Sequence, residues 1–177
     1  IIFQGSDILK MNKNEIFRIR PRLQMIFQHP ETSLNPRMKV QESIAEPLLI
    51  HNSLSRSEIK SEVEQLINQV GLRPEHLERY PQQLSGGEIQ RAVLARIISL
   101  NPSFVVADEP TSMLDASVQA QILRLMMKIQ EDTGLAYLFI SHDMDVLKAV
   151  SDRIAHIENG SIKKIEENEA KKSWLRT

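Results

Sequence analysis

Phe104-Val105-Val106-Ala107-Asp108-Glu109 is an apolar run that ends in two adjacent carboxylates. A strand of that kind buries its side chains in a parallel sheet. It delivers its acids to the sheet's carboxyl edge, where ligands of such folds bind. One acid there can hold a magnesium ion, which takes hard oxygen ligands and keeps several of its waters. The other can orient or deprotonate an attacking water. A plain strand followed by an acidic helix cap has the same pattern, so the run alone leaves both readings open. Leu84-Ser85-Gly86-Gly87-Glu88 stands just before a helical pattern. Free N–H groups at a helix start, with a serine hydroxyl, make an anion site, and glycine lets backbone approach a ligand closely. A glycine turn into a helix fits equally well. His142, between Ser141 and Asp143, follows a second apolar run, and Gln28 ends a third. Each can meet a phosphate from the same sheet edge, and each taken alone is as readily a structural or solvated side chain.

These residues depend on the elements that carry them. Ile1 to Phe3 and Leu23 to Phe27 are strand-like runs around a polar middle, made basic by Arg18, Arg20 and Arg22 on a solvated face. From 29 to 80 the texture changes. Pro30, Pro36, Pro47, Pro74 and Pro81 punctuate it, and each disfavours a helix running through it. One clear helix lies within. Ser55 and Glu58 have the spacing of a capping box, Ile59, Val63, Leu66, Ile67 and Val70 recur at helical intervals, and Gly71 suits the closing left-handed position. A helix is expected from about Gly87 to Leu100, and then the strand Phe104–Ala107. A long amphipathic helix follows, with Val118, Ile122, Leu125, Met126 and Ile129 on one face, ending near Gly134. Tyr137–Ile140 reads as a second buried strand, and a helix with Met144, Leu147 and Val150 comes after it. Asn159-Gly160 marks a tight hairpin between Arg153–Glu158 and Ser161–Ile165. Apolar strands separated by helices predict an α/β fold with a parallel sheet covered on both faces. The hairpin is expected at an edge, and the charged tail 166–177 is expected to fray.

Composition bounds the function. The chain has 177 residues, a formal net charge of -1, 41% hydrophobic and 25% charged residues, and no cysteine. That length is one ordinary domain with a sizeable core. The balanced charge argues against a basic nucleic-acid binder. The missing cysteine excludes disulfides, thiol nucleophiles and cysteine-built zinc sites. The apolar runs fall short of the roughly 20 residues that a spanning helix needs, so no direct membrane insertion is expected.

Taken in order, these pieces resemble one family, the ABC-type ATPases. Leu84 to Glu88, with Gln90-Arg91 beyond, is similar to the family's signature sequence. Phe104 to Glu109 resembles its Walker B strand and adjoining glutamate, Ser112-Met113-Leu114-Asp115 its D-loop, His142 its switch histidine, and Gln28 the glutamine after its early strand. Ser33-Leu34-Asn35-Pro36-Arg37-Met38, Glu46-Pro47-Leu48, Arg79-Tyr80-Pro81 and Tyr137 to Asp143 narrow the likeness to the oligopeptide/dipeptide permease branch, which also includes nickel importers.

The resemblance implies a P-loop NTPase-type fold: a mostly parallel sheet flanked by helices, with a helical subdomain inserted. Residues 1–28 and 81–165 would form the RecA-like catalytic core and 29–80 the helical subdomain. It implies ATP with Mg²⁺. Asp108 and Gln28 would hold the magnesium, Glu109 would be the general base, and Gln28 and His142 would face the γ-phosphate. Ser85, Gly86, Gly87, Glu88 and Asp115 would contact nucleotide across a head-to-tail dimer. The partners implied are a second ABC ATPase subunit and transmembrane permease subunits docking on 29–80. The implied location is cytoplasmic, on the inner face of the cell membrane. A nucleic-acid-directed member of the family, of DNA repair or translation, fits poorly with the compact insert and neutral charge.

A phosphate-binding loop has the form G-x-x-x-x-G-K-[ST], and none of the six glycines begins one. The chain opens at Ile1 on an apolar run, as a chain cut upstream would, and the family's early strands, P-loop and following helix would precede it. The 177 residues alone are therefore expected to bind Mg-ATP very weakly and to hydrolyse it at background. The alternative to a catalytic subunit is a non-catalytic remnant or regulatory module that donates its signature to a partner ATPase.

Overall fold

The structure is a computed structural model that describes residues 1–51 and 54–168. The chain divides into two compact units, Ile1–Leu138 and Phe139–Thr177. The first opens with a short antiparallel pair, β1 (Ile2–Phe3) and β2 (Ser6–Asp7). The polar stretch after it holds a helix, α1 (Lys13–Ile19), closed at its start by a capping box between Asn12 and Glu15. Strand periodicity had no means of showing this helix. Arg18, Arg20 and Arg22 are exposed, as a solvated face requires.

β3 (Leu23–Ile26) leads into the proline-rich insert. There α2 (Val40–His51) carries Pro47 in its interior, although each proline is expected to disfavour a helix running through it. Burial is the compensation: Val40, Ser43, Ile44, Pro47 and Leu48 all face inward, so apolar packing offsets the hydrogen bond that proline removes. α3 (Arg56–Gln69) begins at the Ser55–Glu58 capping box and buries Ile59, Val63, Leu66 and Ile67. Gly71 follows at a φ of +72°.

α4 (Gly86–Ile98) is the central helix. Ala92, Val93, Leu94 and Ala95 are 0–2% exposed, and the helix packs on both α2 and α3. Two arginines tie it to the insert. Arg91 donates to the Val70 carbonyl at 2.6 Å, and Arg96 donates to the Ser43 carbonyl at 3.1 Å and to Glu46 at 2.7 Å.

β4 (Phe104–Asp108) runs parallel to β3, and the strand order is β3-β4-β5, with β5 at Ala136–Ile140. Between them α5 (Ala116–Thr133) buries Ile122, Leu123, Met126, Met127 and Ile129, and Gly134 caps it in the left-handed region. The expectation of a sheet covered on both faces is not met. Ile26, Val105 and Ala107 are fully buried, whereas Met25, Phe27 and Leu138 are 38%, 51% and 50% exposed. Alternation along β3 and β4 sends one set of side chains against the helices and leaves the other set open.

The boundary between the units falls within β5. In the second unit, α6 (Met144–Val150) buries Val146 and Val150, and β6 (Arg153–Glu158) pairs antiparallel with β7 (Ser161–Glu167) across Asn159-Gly160. The hairpin forms its own two-stranded sheet and does not extend the edge of the parallel one. Strand β7 runs past Ile165 into the first residues of the expected tail, and 169–177 lie outside the described residues. Among the described residues, no helix is long and apolar enough to cross a membrane.

Candidate active site

The parallel register of β3 and β4 builds the first cluster. Ile26 stands opposite Ala107, an offset of 81. Carried two residues further, the same offset sets Gln28 beside Glu109. The Gln28 Nε2 does donate to Glu109 Oε2, at 3.1 Å. Two residues remote in sequence are thus joined at the carboxyl edge where the sequence placed them. Asp108, the last residue of β4, is half-buried, as is Glu109.

The Glu109 backbone sits at a φ of +43°, in the left-handed region that a non-glycine residue enters at a cost of about 1–3 kcal/mol. The following turn holds it there: the Ser112 N–H and Oγ–H both donate to the Glu109 carbonyl, at 3.3 and 3.1 Å. Side-chain patterning carries no sign of this strain.

The donor set suits magnesium. Gln28, Asp108 and Glu109 offer hard oxygens only. Among the described residues, no group of three or more acidic or histidine side chains forms a metal cage. Magnesium bound with a nucleotide needs no such cage, since it takes one or two carboxylates and completes its shell with phosphates and water.

The second cluster forms at the start of α4. Ser85 is its N-cap, and the capping box with Glu88 is complete. The Ser85 N–H and Oγ–H donate to Glu88 Oε2 at 2.8 and 2.9 Å, while Ser85 Oγ accepts from the Glu88 N–H at 3.4 Å. The other carboxylate oxygen, Oε1, lies 3.2 Å from His76 Nε2. The Glu88 carboxyl is held below its ordinary value of 4.5, chiefly by the Ser85 N–H; burial opposes this, and the Ser85 hydroxyl, His76 and Arg79 add to it. A lowered carboxyl adds stability that is present above pH 4.5 and lost as pH falls through the folded value. Glu88→Gln should therefore destabilise the chain at pH 7 and cost progressively less below pH 4.5, as urea denaturation at both pH values would show.

The two glycines have a use that their spacing did not disclose. Both have ordinary negative φ, so conformational freedom is not what they supply. A Cβ on Gly87 would lie 2.5 Å from Val118 Cγ1, and one on Gly86 would lie 3.2 Å from Leu114 Cδ2. The start of α4 is pressed against the start of α5. Val118 is β-branched and stiff in a helix, whereas the Leu114 methyl can give way. Gly87→Ala should cost about 1–3 kcal/mol by overpacking, and Gly86→Ala clearly less. Thermal melts of the two variants check this, and Val118→Ala should rescue Gly87→Ala. The first amides of α4, those of Gly86 and Gly87, have no intrahelical acceptor.

Asp115 caps α5, accepting from the Ser117 and Val118 N–H groups at 3.1 Å each. Its position beside Leu114 brings it next to the α4 start. His142 is exposed in the second unit, between β5 and α6, where Asp143 caps the helix. His76 was not singled out by any spacing. It stands in a Pro74–His76 turn of the insert, 7% exposed, with its Nδ1 accepting from the Arg73 N–H at 3.1 Å.

Comparison with known proteins bears on the family and the fold. The family model described as ABC transporter matches residues 1–112. The chain is 49% identical over 150 residues to the di/tripeptide transport ATP-binding protein DppF of Pseudomonas aeruginosa, covering 85% of this chain and 46% of that protein. It is 45% identical over 166 residues to the oligopeptide transport ATP-binding protein OppF of Streptococcus mutans, covering 93% and 54%. It therefore spans about half the length of the curated relatives it matches. Among solved structures it resembles the ATP-binding cassette MJ0796, in a dimeric post-hydrolysis state bound to ADP and Pi, with a TM-score of 0.80 and 25% identity over 94% of this chain and 72% of that one. A TM-score of 0.84 to cbiO1 from Clostridium perfringens, at 21% identity over 98% of this chain and 67% of that one, speaks for the fold alone. With the Gln28–Glu109 contact, the Ser85 cap and a family match over more than half its length, the chain belongs to the ABC transporter family.

Proposed function

We propose that this chain is part of the ATP-hydrolysing subunit of an ABC importer for oligopeptides, dipeptides or nickel, in which nucleotide-driven closure of two such subunits drives transport. The observation that carries the reading is the Gln28 Nε2 donating to Glu109 Oε2 at 3.1 Å across the carboxyl ends of two parallel strands. The peptide-importer names of its relatives support the solute class.

Each residue then has a task. Glu109 is the general base. Its carboxylate, fixed by Gln28 and by the strained turn, accepts a proton from a water aimed at the γ-phosphate. Asp108 and the Gln28 carboxamide oxygen would hold Mg²⁺, which neutralises phosphate charge when bound. Gln28 also joins the γ-phosphate to the insert 29–80, which begins one residue after it and on which a permease subunit would dock. His142 would donate to the γ-phosphate. Ser85, Gly86, Gly87 and Glu88 would complete the nucleotide site of a facing subunit, with Asp115 at the same interface. The protein would lie at the cytoplasmic face of the membrane, held there by its permease partners. The 177 residues contain no G-x-x-x-x-G-K-[ST] segment, so on this reading their own contribution is the water-and-magnesium side of one site and the signature side of another.

The test is phosphate release from Mg-ATP by the full-length protein reconstituted with its permease subunits. Hydrolysis stimulated by a peptide-loaded binding protein supports the reading. Hydrolysis stimulated instead by nucleic acid would overturn it.

A further inference from the structure

The Ser85–Glu88 cap shares its carboxylate with a residue from outside the signature. Glu88 Oε2 takes both Ser85 bonds, and Oε1 is left for His76 Nε2, 3.2 Å away. His76 has one possible proton placement in this geometry. Its Nδ1 accepts from the Arg73 N–H, so the neutral ring carries its hydrogen on Nε2 and donates it to Glu88. The His76 side chain is 8% exposed and belongs to the insert, whereas Glu88 belongs to α4.

We propose that His76 is a positioning residue for the signature segment: by holding Glu88 Oε1 it keeps Oε2 on Ser85, and so sets the orientation of the Ser85 hydroxyl at the start of α4. This rests on the reading of Ser85 as a nucleotide contact for a facing subunit. The consequence is chemical. In this chain the Ser85 hydrogen points at Glu88, so donation to an incoming phosphate requires it to turn away. A Glu88 carboxylate fixed on its far side lets the hydroxyl turn while the Ser85 N–H stays bonded. Without His76, the carboxylate can rotate off the Ser85 N–H, and the segment that carries the hydroxyl is no longer fixed. The cleft around the pair holds Arg73 and Glu75, paired with each other at 3.5 Å, together with Arg79 and Arg91. Arg91 is engaged with Val70 and Gln121. Arg79 is the remaining cation near Glu88, and it acts on it only through the field. No other side chain among the described residues is recorded in contact with Glu88 Oε1.

The experiment uses the full-length protein assembled with its permease subunits, and compares His76→Leu, His76→Gln, Glu88→Gln and the double variant His76→Leu/Glu88→Gln. Glutamine places an amide donor near the Nε2 position, so it restores the bond that leucine removes. Arg91 and Arg96 still anchor α4 in all four, and a thermal melt confirms that each is folded. His76→Leu should raise the half-saturating Mg-ATP concentration about tenfold, the scale of one charge-assisted hydrogen bond, with kcat changed less than about twofold. His76→Gln should recover most of that loss, and His76→Leu should add nothing once Glu88 is glutamine. Equal losses in leucine and glutamine variants, or the same loss in the Glu88→Gln background, would overturn the proposal. A second readout does not depend on nucleotide: the ¹⁵N spectrum of labelled histidine should show His76 protonated at Nε2, with that signal moved by Glu88→Gln. A hydrogen on Nδ1 would overturn the proposal even if the reading of Ser85 stands. If Ser85→Arg leaves Mg-ATP use unchanged while the histidine spectrum is as expected, the reading of Ser85 fails and the His76–Glu88 bond is structural only.

Discussion

Glu109→Gln should abolish steady-state ATP hydrolysis by the assembled full-length protein, lowering kcat by about 10²–10⁴-fold, the usual contribution of a positioned general base. Glutamine keeps the shape and an acceptor oxygen, so the Gln28 bond at 3.1 Å and the turn held by Ser112 survive. What is lost is the ability to take a proton. The variant should therefore still bind Mg-ATP and retain it unhydrolysed, with little change in thermal stability. Filter retention of labelled ATP together with released phosphate measures both halves. Normal turnover in this variant would remove Glu109 from the mechanism, whatever its geometry.

The second large effect belongs to Ser85. Ser85→Arg should bring hydrolysis at the facing subunit's site to background, a loss on the order of 10²–10³-fold, as for removal of one donor at a reacting anion. Serine is in addition the N-cap of α4, so the substitution costs about 0.5–2 kcal/mol of stability. A loss of that size shifts a melting curve without unfolding the chain. Rate and melting temperature measured together separate the two. Retained hydrolysis in the partner would end the assignment of Ser85 to a shared site.

Local patterning made most elements legible. The Ser55 cap, the Gly134 stop and the Asn159-Gly160 turn are short-range chemistry, and each appears where its residues stand. Two helices escaped. α1 buries none of its residues, so no core-facing stripe marks it, and its capping box is its clearest sign. α2 contains Pro47, whose cost is offset by burial that no local window records. Coverage of the sheet was misjudged for a similar reason: an apolar strand says that its side chains suit a core, not that both faces find one. The placement of Gln28, Asp108 and Glu109 at the carboxyl ends of β3 and β4 was legible because a parallel sheet gathers those ends at one edge. The φ of +43° at Glu109, the contact of Gly87 with Val118, and the place of His76 under Glu88 were not. The first is a property of a backbone turn, the other two depend on how segments remote in sequence meet, and no residue type alone encodes either.

On this reading, the 177 residues carry the water-and-magnesium side of one nucleotide site and the signature of another. Loop amides and a lysine supply most of the phosphate-binding field in such proteins. Calorimetric titration of Mg-ATP into the 177-residue chain is the direct test. No saturable heat should appear up to roughly millimolar nucleotide, the range in which two carboxylates and a carboxamide hold a magnesium–phosphate complex weakly. Saturable binding in the micromolar range would contradict it, since some other group in these residues would then be cradling the phosphates.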